Sequence, residues 1–190
     1  MGRAVTLPAA YSRILERSRA IGFGMNSDVL TGALLRTLAS AKPGGSFLEL
    51  GTGCGLGTSW ILDGMDATAS LVSVDTDSAT QQLAREELGT DSRLRLVLED
   101  GGAFLASTDR SFDLIYADAW PGKFSDLNRA LSLVRPGGIY LVDDMLPQPN
   151  WPDGHAPKAT ALIETLLSLD GFESTWLEWS TGLIICVRRS

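Results

Sequence analysis

A run of glycines between residues 47 and 58 is the segment best suited to binding a ligand. It reads FLELGTGCGLGT, so that glycines recur at every second position after the short apolar run Phe47–Leu50. Glycine tolerates positive φ angles and lets a ligand approach the main chain, and the start of a following helix offers free N–H groups to an anion. We therefore predict a ligand-binding turn between a strand and a helix, with these candidate contacts: Glu49, Gly51, Gly53, Gly55, Gly57 and Thr58.

Aspartates close four further apolar runs of the sequence. An acidic residue at the end of the second predicted strand is placed to accept both ribose hydroxyls of a bound nucleoside, and we predict this role for Asp75. Ligands bind open α/β sheets at the carboxyl ends of the strands, so we expect the aspartates to surround one site with the glycine run. They are Asp75, Asp100, Asp118 and the pair Asp143 and Asp144.

Three of these carboxylates are expected to share one small volume. The fourth and fifth strands, which end at Asp118 and Asp143, are neighbours about 5 Å apart in a doubly wound sheet. Carboxylates held together repel one another unless a cation or a proton intervenes, and Mg²⁺ or Ca²⁺ accepts oxygen ligands of this kind. Two interpretations stay open: a metal site at Asp118, Asp143 and Asp144, or contact of Asp118 with the nucleoside while Asp143 or Asp144 caps the next loop.

The elements that would position these residues alternate between short apolar runs and helical patterns, which predicts an α/β fold with a doubly wound, mainly parallel sheet. Only Ser180–Gly182 separates the last two strands, too few residues for a parallel crossover, so a C-terminal antiparallel hairpin is expected. We predict one domain, 1–190, with a helical segment at 1–41 and the core at 42–190. Helices are predicted at 11–20, 28–41, 57–64, 78–88, 101–107, 123–134 and 158–169, and strands at 47–50, 71–74, 94–98, 112–117, 138–142, 172–179 and 182–188. The expected helix caps are Asn26 or Ser27 for the second helix and Ser78 for the fourth.

Composition narrows the class of protein. The net charge of −7 disfavours a nucleic-acid partner. No apolar run reaches the roughly 20 residues of a membrane span, and the first residues lack the apolar core of a signal peptide, so we expect a cytoplasmic protein without a membrane partner. The two cysteines, Cys54 and Cys186, suggest neither a zinc site nor a disulfide framework. Cys54 is either a small buried residue or a reactive thiol.

The glycine spacing separates two classes of nucleoside-binding protein. A dinucleotide fingerprint needs a glycine at the sixth position, but Leu56 stands there when counting from Gly51 and Thr58 when counting from Gly53. A glutamate two residues before the first glycine, with glycines at alternate positions, instead resembles motif I of class I S-adenosylmethionine-dependent methyltransferases. That resemblance implies a Rossmann-like fold with S-adenosylmethionine as cofactor. It also implies that Asp100, beside Gly101, receives the adenine amino group, although Asp100 equally suits a helix cap.

The aspartates after the fourth and fifth strands make the resemblance more specific. Asp118 and Asp143 with Asp144 match positions at which the small catechol and caffeoyl-coenzyme A O-methyltransferases hold Mg²⁺ or Ca²⁺. The segment Gly24–Asn26 resembles the family's segment that closes over the methyl group, which implies that Met25 covers it. The resemblance extends over about residues 24–187. It implies methylation of a small-molecule hydroxyl, by an enzyme that is a homodimer in many relatives.

Three departures from the family pattern bear on the chemistry. Asp144 replaces an asparagine, Trp120 replaces the second aspartate of an Asp-Ala-Asp-Lys run, and Lys123 stands five residues after Asp118 instead of three. Lys123 is the candidate general base beside Asp118 or, alternatively, an exposed lysine. His155 is the base of a metal-independent version or a loop residue without a role.

Two tryptophans are candidates for recognition of the ligands. Trp120 is counted among the cofactor contacts, and with Trp151 it would also wall a planar acceptor. Other readings of the sequence remain: a nitrogen or carboxyl acceptor, a nicotinamide-dependent oxidoreductase, and a nucleoside-binding protein without catalysis.

Overall fold

Seven strands form one sheet in the computed structural model, which describes residues 5–148 and 151–190. The order is β3-β2-β1-β4-β5-β7-β6, with β1 to β5 parallel and β7 antiparallel to both β5 and β6. The strands are β1 Ser46–Leu50, β2 Ser70–Asp75, β3 Leu94–Leu98, β4 Phe112–Ala117, β5 Val134–Val142, β6 Phe172–Leu177 and β7 Leu183–Arg188. This confirms the predicted doubly wound sheet with its C-terminal antiparallel hairpin. The strand order reverses between β1 and β4, which places the ligand-binding crevice at their carboxyl ends.

Eight helices connect or flank these strands in the described ranges. They are α1 Tyr11–Ala20, α2 Val29–Ser40, α3 Leu56–Gly64, α4 Ser78–Leu88, α5 Gly101–Ser107, α6 Trp120–Lys123, α7 Leu127–Ser132 and α8 His155–Leu167. None of them, within residues 5–148 and 151–190, has the length and apolar character needed to cross a membrane.

The predicted helix 123–134 is wrong. In its place the chain makes the single turn α6, whose interior residues Pro121 and Gly122 are not helical, and then the short helix α7. Asp126 separates the two in a left-handed conformation with φ 57°. The chain leaves α7 early because Val134 already pairs with Phe112, so that β5 begins four residues before the predicted strand.

One helix start and two capping residues also differ from the prediction. Helix α8 begins at His155, directly after Gly154 with φ 77°, and not at residue 158. Asp28, not Asn26 or Ser27, caps α2 by accepting from the main-chain N–H groups of Leu30 and Thr31. Asp77, not Ser78, caps α4 in the same way. In both helices a carboxylate at the residue directly before the first helical residue accepts from the free N–H groups and interacts favourably with the positive end of the helix dipole.

Apolar side chains fill both faces of the sheet. The buried cluster on one face contains Phe47 of β1 with Trp60 of α3 and Ile14 of α1, and the cluster on the other contains Ile115 of β4 with Leu105 of α5 and Leu166 of α8. All five residues of β1 are buried, as expected for a parallel strand covered on both sides. The central strands are therefore rigid supports for the residues at their carboxyl ends.

Candidate functional site

A cavity of about 900 Å³ opens at the carboxyl ends of β1, β2, β4 and β5. Its walls come from the glycine turn (residues 51–57), the segment 23–27, the ends of β2 and β5, the β4–α7 connection and the start of α8. Most of the predicted site residues meet there. They are Met25, Gly51, Gly53, Gly57, Asp75, Asp100, Gly101, Asp118, Trp120, Lys123, Asp143 and Asp144.

The glycine turn is held against the end of β4 by main-chain contact. Gly51 has φ 101°, and a Cβ atom there would lie 2.6 Å from the carbonyl oxygen of Asp118. A side chain at this position would collide with a fixed main-chain atom, and the backbone conformation is one that L-residues avoid. Only glycine lets the two loops approach this closely.

Glu49 and Thr58 support the turn from behind. Glu49 is 1% exposed, and its Oε2 accepts hydrogen bonds from the hydroxyls of Thr58 and Ser73 at 2.5 and 2.6 Å. Its Oε1 has no hydrogen-bond partner within the described part of the chain. Burial, opposed by these hydrogen bonds, raises the pKa of Glu49 to about 7. Glu49, Gly55 and Thr58 do not line the cavity, so we expect them to support the ligand site from behind and not to contact the ligand.

Asp75 is fixed at the end of β2 with its carboxylate on the cavity. Oδ2 accepts from the N–H of Gly53 at 2.7 Å, and Oδ1 accepts from the N–H of Asp77 at 2.9 Å. Each carboxylate oxygen has two lone-pair positions, so both retain acceptor capacity. This arrangement suits a pair of vicinal hydroxyls.

Asp100 combines the two roles that its sequence position left open. Its side chain accepts from the N–H of Ala103 at 2.9 Å and so caps α5. Asp100 and Gly101 also line the cavity, on the side of Asp75. A capping bond occupies one oxygen and leaves the other for a ligand donor.

The three carboxylates at the ends of β4 and β5 lie together, as expected, in what we call the acidic cluster: Asp118, Asp143 and Asp144. Burial is the main cause that raises the pKa of Asp118 well above its usual range, and Asp143 and Asp144 add repulsion. Burial also raises the pKa of Asp144.

Lys123 supplies positive charge to the acidic cluster. Its side chain is 6% exposed, and Nζ lies 3.6 Å from Oδ1 of Asp118. Gly122, with φ 90°, turns the chain back toward the cavity, and its carbonyl oxygen accepts from the hydroxyl of Tyr140. The turn at Gly122 absorbs the two extra residues between Asp118 and Lys123. The interpretation of Lys123 as an exposed lysine is therefore wrong.

Asp143 has structural partners that sequence reasoning missed. Its Oδ2 accepts from the hydroxyl of Tyr116 at 2.6 Å, while Oδ1 accepts from the N–H of Asp144 at 2.7 Å and from the hydroxyl of Thr181. The hydroxyl of Tyr116 also lies 3.3 Å from that of Ser27. Asp143 thus ties together β4, the hairpin and the segment before α2. Tyr116 lies on a predicted strand, but no spacing in the sequence connects Thr181 with Asp143.

The donor set does not fit a divalent metal ion. Within residues 5–148 and 151–190, no three His, Cys, Asp or Glu side chains are arranged to hold a metal. Three hydrogen-bond donors already occupy Asp143, and the Lys123 ammonium stands beside Asp118. The predicted Mg²⁺ or Ca²⁺ site at Asp118, Asp143 and Asp144 does not match these side chains.

Four rings form one side of the cavity, which we call the aromatic wall: Trp120, Phe124, Trp151 and His155. The centroid of His155 lies 4.5 Å from that of Trp151 and 4.9 Å from that of Phe124. Trp120 is 45% exposed, and the ammonium of Lys158 lies 4.9 Å from its ring centroid. Trp120 and Trp151 line one cavity, as predicted, and sequence reasoning missed Phe124, which it placed in the predicted helix 123–134.

Two titratable side chains of the cavity are shifted toward their neutral forms. Burial, together with Lys123 and Lys158, lowers the pKa of His155. Burial, with Asp77 and Asp75 adding to it, raises the pKa of the Cys54 thiol to about 11. Cys54 is 1% exposed, so it matches the predicted small buried residue and not a reactive thiol.

Met25 stands at the rim of the same cavity. Its side chain is 68% exposed, and it lines the opening together with its neighbours from Phe23 to Ser27. The segment is anchored at Asn26, whose side-chain amide donates to the hydroxyl of Ser18 at 2.9 Å. The position is compatible with a cover over a ligand at the glycine turn.

Comparison with known proteins decides the family. Residues 48–145, which include the glycine turn and the acidic cluster, match a family described as a methyltransferase domain. The chain belongs to this methyltransferase family. The match confirms the class I methyltransferase resemblance and removes the nicotinamide-dependent oxidoreductase from consideration.

Relatives of this methyltransferase occur in mycobacteria. A protein of Mycolicibacterium smegmatis named "Putative O-methyltransferase/" is 31% identical over 146 residues, covering 74% of this chain and 69% of the relative. A protein of Mycolicibacterium vanbaalenii named "Putative O-methyltransferase" is 33% identical over 145 residues, covering 73% and 64%. The chain thus spans about two thirds of the length of these curated relatives.

Solved structures of methyltransferases share the fold. The O-methyltransferase TomG from Streptomyces achromogenes, solved in complex with SAM, superposes with a TM-score of 0.84 at 20% identity, covering 98% of this chain and 92% of that one. An O-methyltransferase from Bacillus cereus, solved with SAH, gives 0.82 at 18% identity, covering 97% and 93%. At this level of identity the likeness establishes the common architecture.

Proposed function

We propose that the chain transfers a methyl group from S-adenosylmethionine to a hydroxyl oxygen of a small, planar molecule. One observation carries the proposal: a single cavity joins a nucleoside-type end, at Asp75 and the glycine turn, to a reactive end at Asp118 and Lys123. The O-methyltransferase names of the mycobacterial relatives support the choice of oxygen as the methylated atom.

The residues at the first end fit the cofactor. The two oxygens of Asp75 suit the ribose hydroxyls, Asp100 has one oxygen free for the adenine amino group, and the N–H groups of the glycine turn suit the carboxylate of the methionine part. When bound, the cofactor supplies a methyl group on a positively charged sulfur. These contacts hold that group toward the acidic cluster.

At the second end, Asp118 and Lys123 would prepare the acceptor. An acceptor hydroxyl beside Asp118 gives its proton to a carboxylate whose pKa burial has raised, which makes it a stronger base than an exposed aspartate. The Lys123 ammonium stabilises the negative charge that remains on the oxygen. The new O–C bond then forms as the C–S bond breaks in line, and its electron pair stays on sulfur.

The aromatic wall favours a flat acceptor. Indole and phenyl faces bind planar apolar molecules through dispersion and edge-to-face contacts. We assign His155 to this wall and not to the role of base, because burial lowers its pKa and its Nδ1 has no hydrogen-bond partner within residues 5–148 and 151–190. A hydroxylated aromatic ring is therefore the acceptor class that we propose.

Two measurements test this function. Calorimetric titration should show binding of S-adenosylhomocysteine and none of NAD. The chain, supplied with methyl-labelled S-adenosylmethionine, should then label phenols in a panel that also contains amines and carboxylic acids. Labelling of amines or carboxylic acids alone would reassign the acceptor, and failure to bind S-adenosylhomocysteine would overturn the function as a whole.

The quaternary structure stays a prediction. The family resemblance implies a homodimer, and light scattering of the purified chain would measure its mass in solution. The expected partner of the site is a small molecule, since the net charge of −7 disfavours nucleic acid.

A further inference from the structure

We propose that the Lys123 ammonium takes the place of the divalent cation, so that this chain methylates its acceptor without a metal ion. The inference rests on the proposed function and deepens it. It concerns the positive charge that stands beside the acidic cluster and beside the acceptor oxygen after that oxygen has lost its proton.

The position of Lys123 is built into the fold. Its side chain is buried against Asp118, although five sequence positions separate the two residues. The intervening turn is fixed at Gly122, whose N–H donates to the carbonyl of Ser125 at 2.8 Å and whose carbonyl accepts from Tyr140. A Cβ at Gly122 would lie 2.7 Å from Leu50, so the turn packs directly on the core. The turn therefore fixes the main chain from which the buried Lys123 side chain reaches Asp118.

The hydrogen bonds of Asp143 prevent the acidic cluster from acting as a cage for a metal. A carboxylate has about four lone-pair positions, and three donors already occupy those of Asp143: Tyr116, Thr181 and the N–H of Asp144. Asp143 is 2% exposed. Only one position of this buried carboxylate stays free, so binding an ion through more than one lone pair would break a buried hydrogen bond, such as that of the Tyr116 hydroxyl.

The charges lead to the same assignment. Nζ of Lys123 lies 3.6 Å from Oδ1 of Asp118, so one positive charge stands beside the carboxylates of the acidic cluster. A divalent ion placed among these carboxylates would have to approach the ammonium, which disfavours it by direct repulsion. The buried ammonium thus already offsets part of the negative charge that a metal ion would offset.

The proton balance needs no additional reactant. The acceptor O–H bond breaks, its proton passes to Asp118, and the resulting oxygen anion lies beside the Lys123 ammonium. The methyl carbon bonds to that oxygen as the C–S bond breaks, which leaves a neutral thioether. Asp118 then returns its proton to water through the open cavity.

The first experiment compares turnover and metal binding in the wild-type chain. With a phenol identified by the labelling panel, turnover should stay within about twofold in excess EDTA and on addition of Mg²⁺ or Ca²⁺. Calorimetry of the S-adenosylhomocysteine complex with each ion should give no saturable heat. Loss of turnover in EDTA that Mg²⁺ or Ca²⁺ restores, or stoichiometric binding of either ion, would overturn the proposal.

The second experiment removes the ammonium. Lys123→Met keeps the length of the side chain, so we expect turnover to fall about 100-fold or more while S-adenosylhomocysteine affinity stays within about twofold. Titration with Mn²⁺ should now detect ion binding that the wild type lacks, because the acidic cluster has lost its counter-charge. Lys42→Met, remote from the cavity, is the matched control and should behave as wild type.

These readouts separate failure of this inference from failure of the function. A wild-type chain that does not bind S-adenosylhomocysteine contradicts the proposed function itself. A Lys123→Met variant that binds S-adenosylhomocysteine and keeps wild-type turnover contradicts only the role of Lys123. A rise in the unfolding temperature of the variant on addition of S-adenosylhomocysteine would show that its cavity is folded.

Discussion

The Thr58 hydroxyl donates to Oε2 of Glu49 at 2.5 Å, beneath the glycine turn and away from solvent. The bond ties the start of α3 to the strand that precedes the turn. Oε1, by contrast, has no partner within the described residues, and a Cβ at Gly57 would lie 2.6 Å from it. Burial of a carboxyl group with one oxygen lacking a donor disfavours its charged form.

Glu49→Gln should reduce the dependence of stability on pH. The pKa of Glu49 is raised from 4.5 to about 7, so between these values the folded protein holds a proton that the unfolded chain has lost. Stability contributed by this proton falls as pH rises through that window. A neutral glutamine removes the effect, and the loss of unfolding free energy between about pH 5 and about pH 8 should shrink by about 2.5 kcal/mol.

Urea unfolding at the two pH values measures the difference. Glu99→Gln is the matched control, since Glu99 is exposed, and it should keep the wild-type dependence. Equal pH dependence in Glu49→Gln and wild type would show that Glu49 titrates as an ordinary carboxylate.

Asp75→Ala should weaken binding of S-adenosylhomocysteine. The substitution removes the acceptors proposed for the ribose hydroxyls and also releases the N–H of Gly53 from its bond. A hydrogen bond to a charged group contributes about 1.5 to 3 kcal/mol, so the Kd should rise by about 10-fold to 100-fold. Calorimetry measures the Kd directly.

The control for Asp75 is Asp77→Asn. Asparagine also caps helices, so this variant keeps the bonds to Ala79 and Thr80 while it removes a charge two residues away. Its Kd should stay within about twofold of wild type. A similar loss in both variants would indicate a general electrostatic effect and not a specific contact at Asp75.

Trp120→Ala should raise the KM for the acceptor and leave the Kd for S-adenosylhomocysteine unchanged. The indole is 45% exposed and faces the cavity, so its removal takes away contact area for a planar molecule. We expect an increase in KM of about tenfold, from steady-state rates at saturating cofactor. Trp179→Ala, outside the cavity, controls for loss of an exposed tryptophan. A weaker Kd for S-adenosylhomocysteine in Trp120→Ala would assign this residue to the cofactor instead.

Tyr116→Phe should destabilise the fold. It leaves Oδ2 of the buried Asp143 without its donor at 2.6 Å. An unsatisfied buried acceptor costs about 1 to 3 kcal/mol, and a charged one lies at the upper end. Denaturant unfolding measures the loss of unfolding free energy. The control is Tyr11→Phe, which removes the same hydroxyl group from a ring that packs edge-on against Trp60. Equal stabilities for the two variants would mean that Asp143 does not depend on Tyr116.

The sequence predicted the parts of the site that depend on local pattern. Asp75 and Asp100 follow apolar runs, and parallel strands bring such positions to one edge of the sheet, so their place at the cavity followed from the order of elements. The glycine turn could be predicted because its positive φ angles favour glycine, which is visible in the sequence. The pairing of β4 with β5 followed from the doubly wound order that the alternation of strands and helices predicts.

The parts that sequence reasoning missed depend on distant contacts. The carbonyl of Gly122 is bound by Tyr140 and the carboxylate of Asp143 by Thr181, and neither pair shares a local signal. Without the first contact, residues 123–134 read as a continuous helix and Lys123 as exposed. Without the second, Asp143 reads as a free metal ligand. Tertiary hydrogen bonds decided both outcomes.

The main-chain contact between Gly51 and Asp118 bears on how substitutions could change the substrate specificity of this protein during evolution. The two loops touch where no side chain fits, so the distance between the glycine turn and the end of β4 is fixed by the backbone and is insensitive to point substitution of the residues around it. The aromatic wall, by contrast, is made of side chains, which substitution can exchange. In the function that we propose, a change of acceptor therefore needs the exchange of wall residues only, while the glycine turn stays in place.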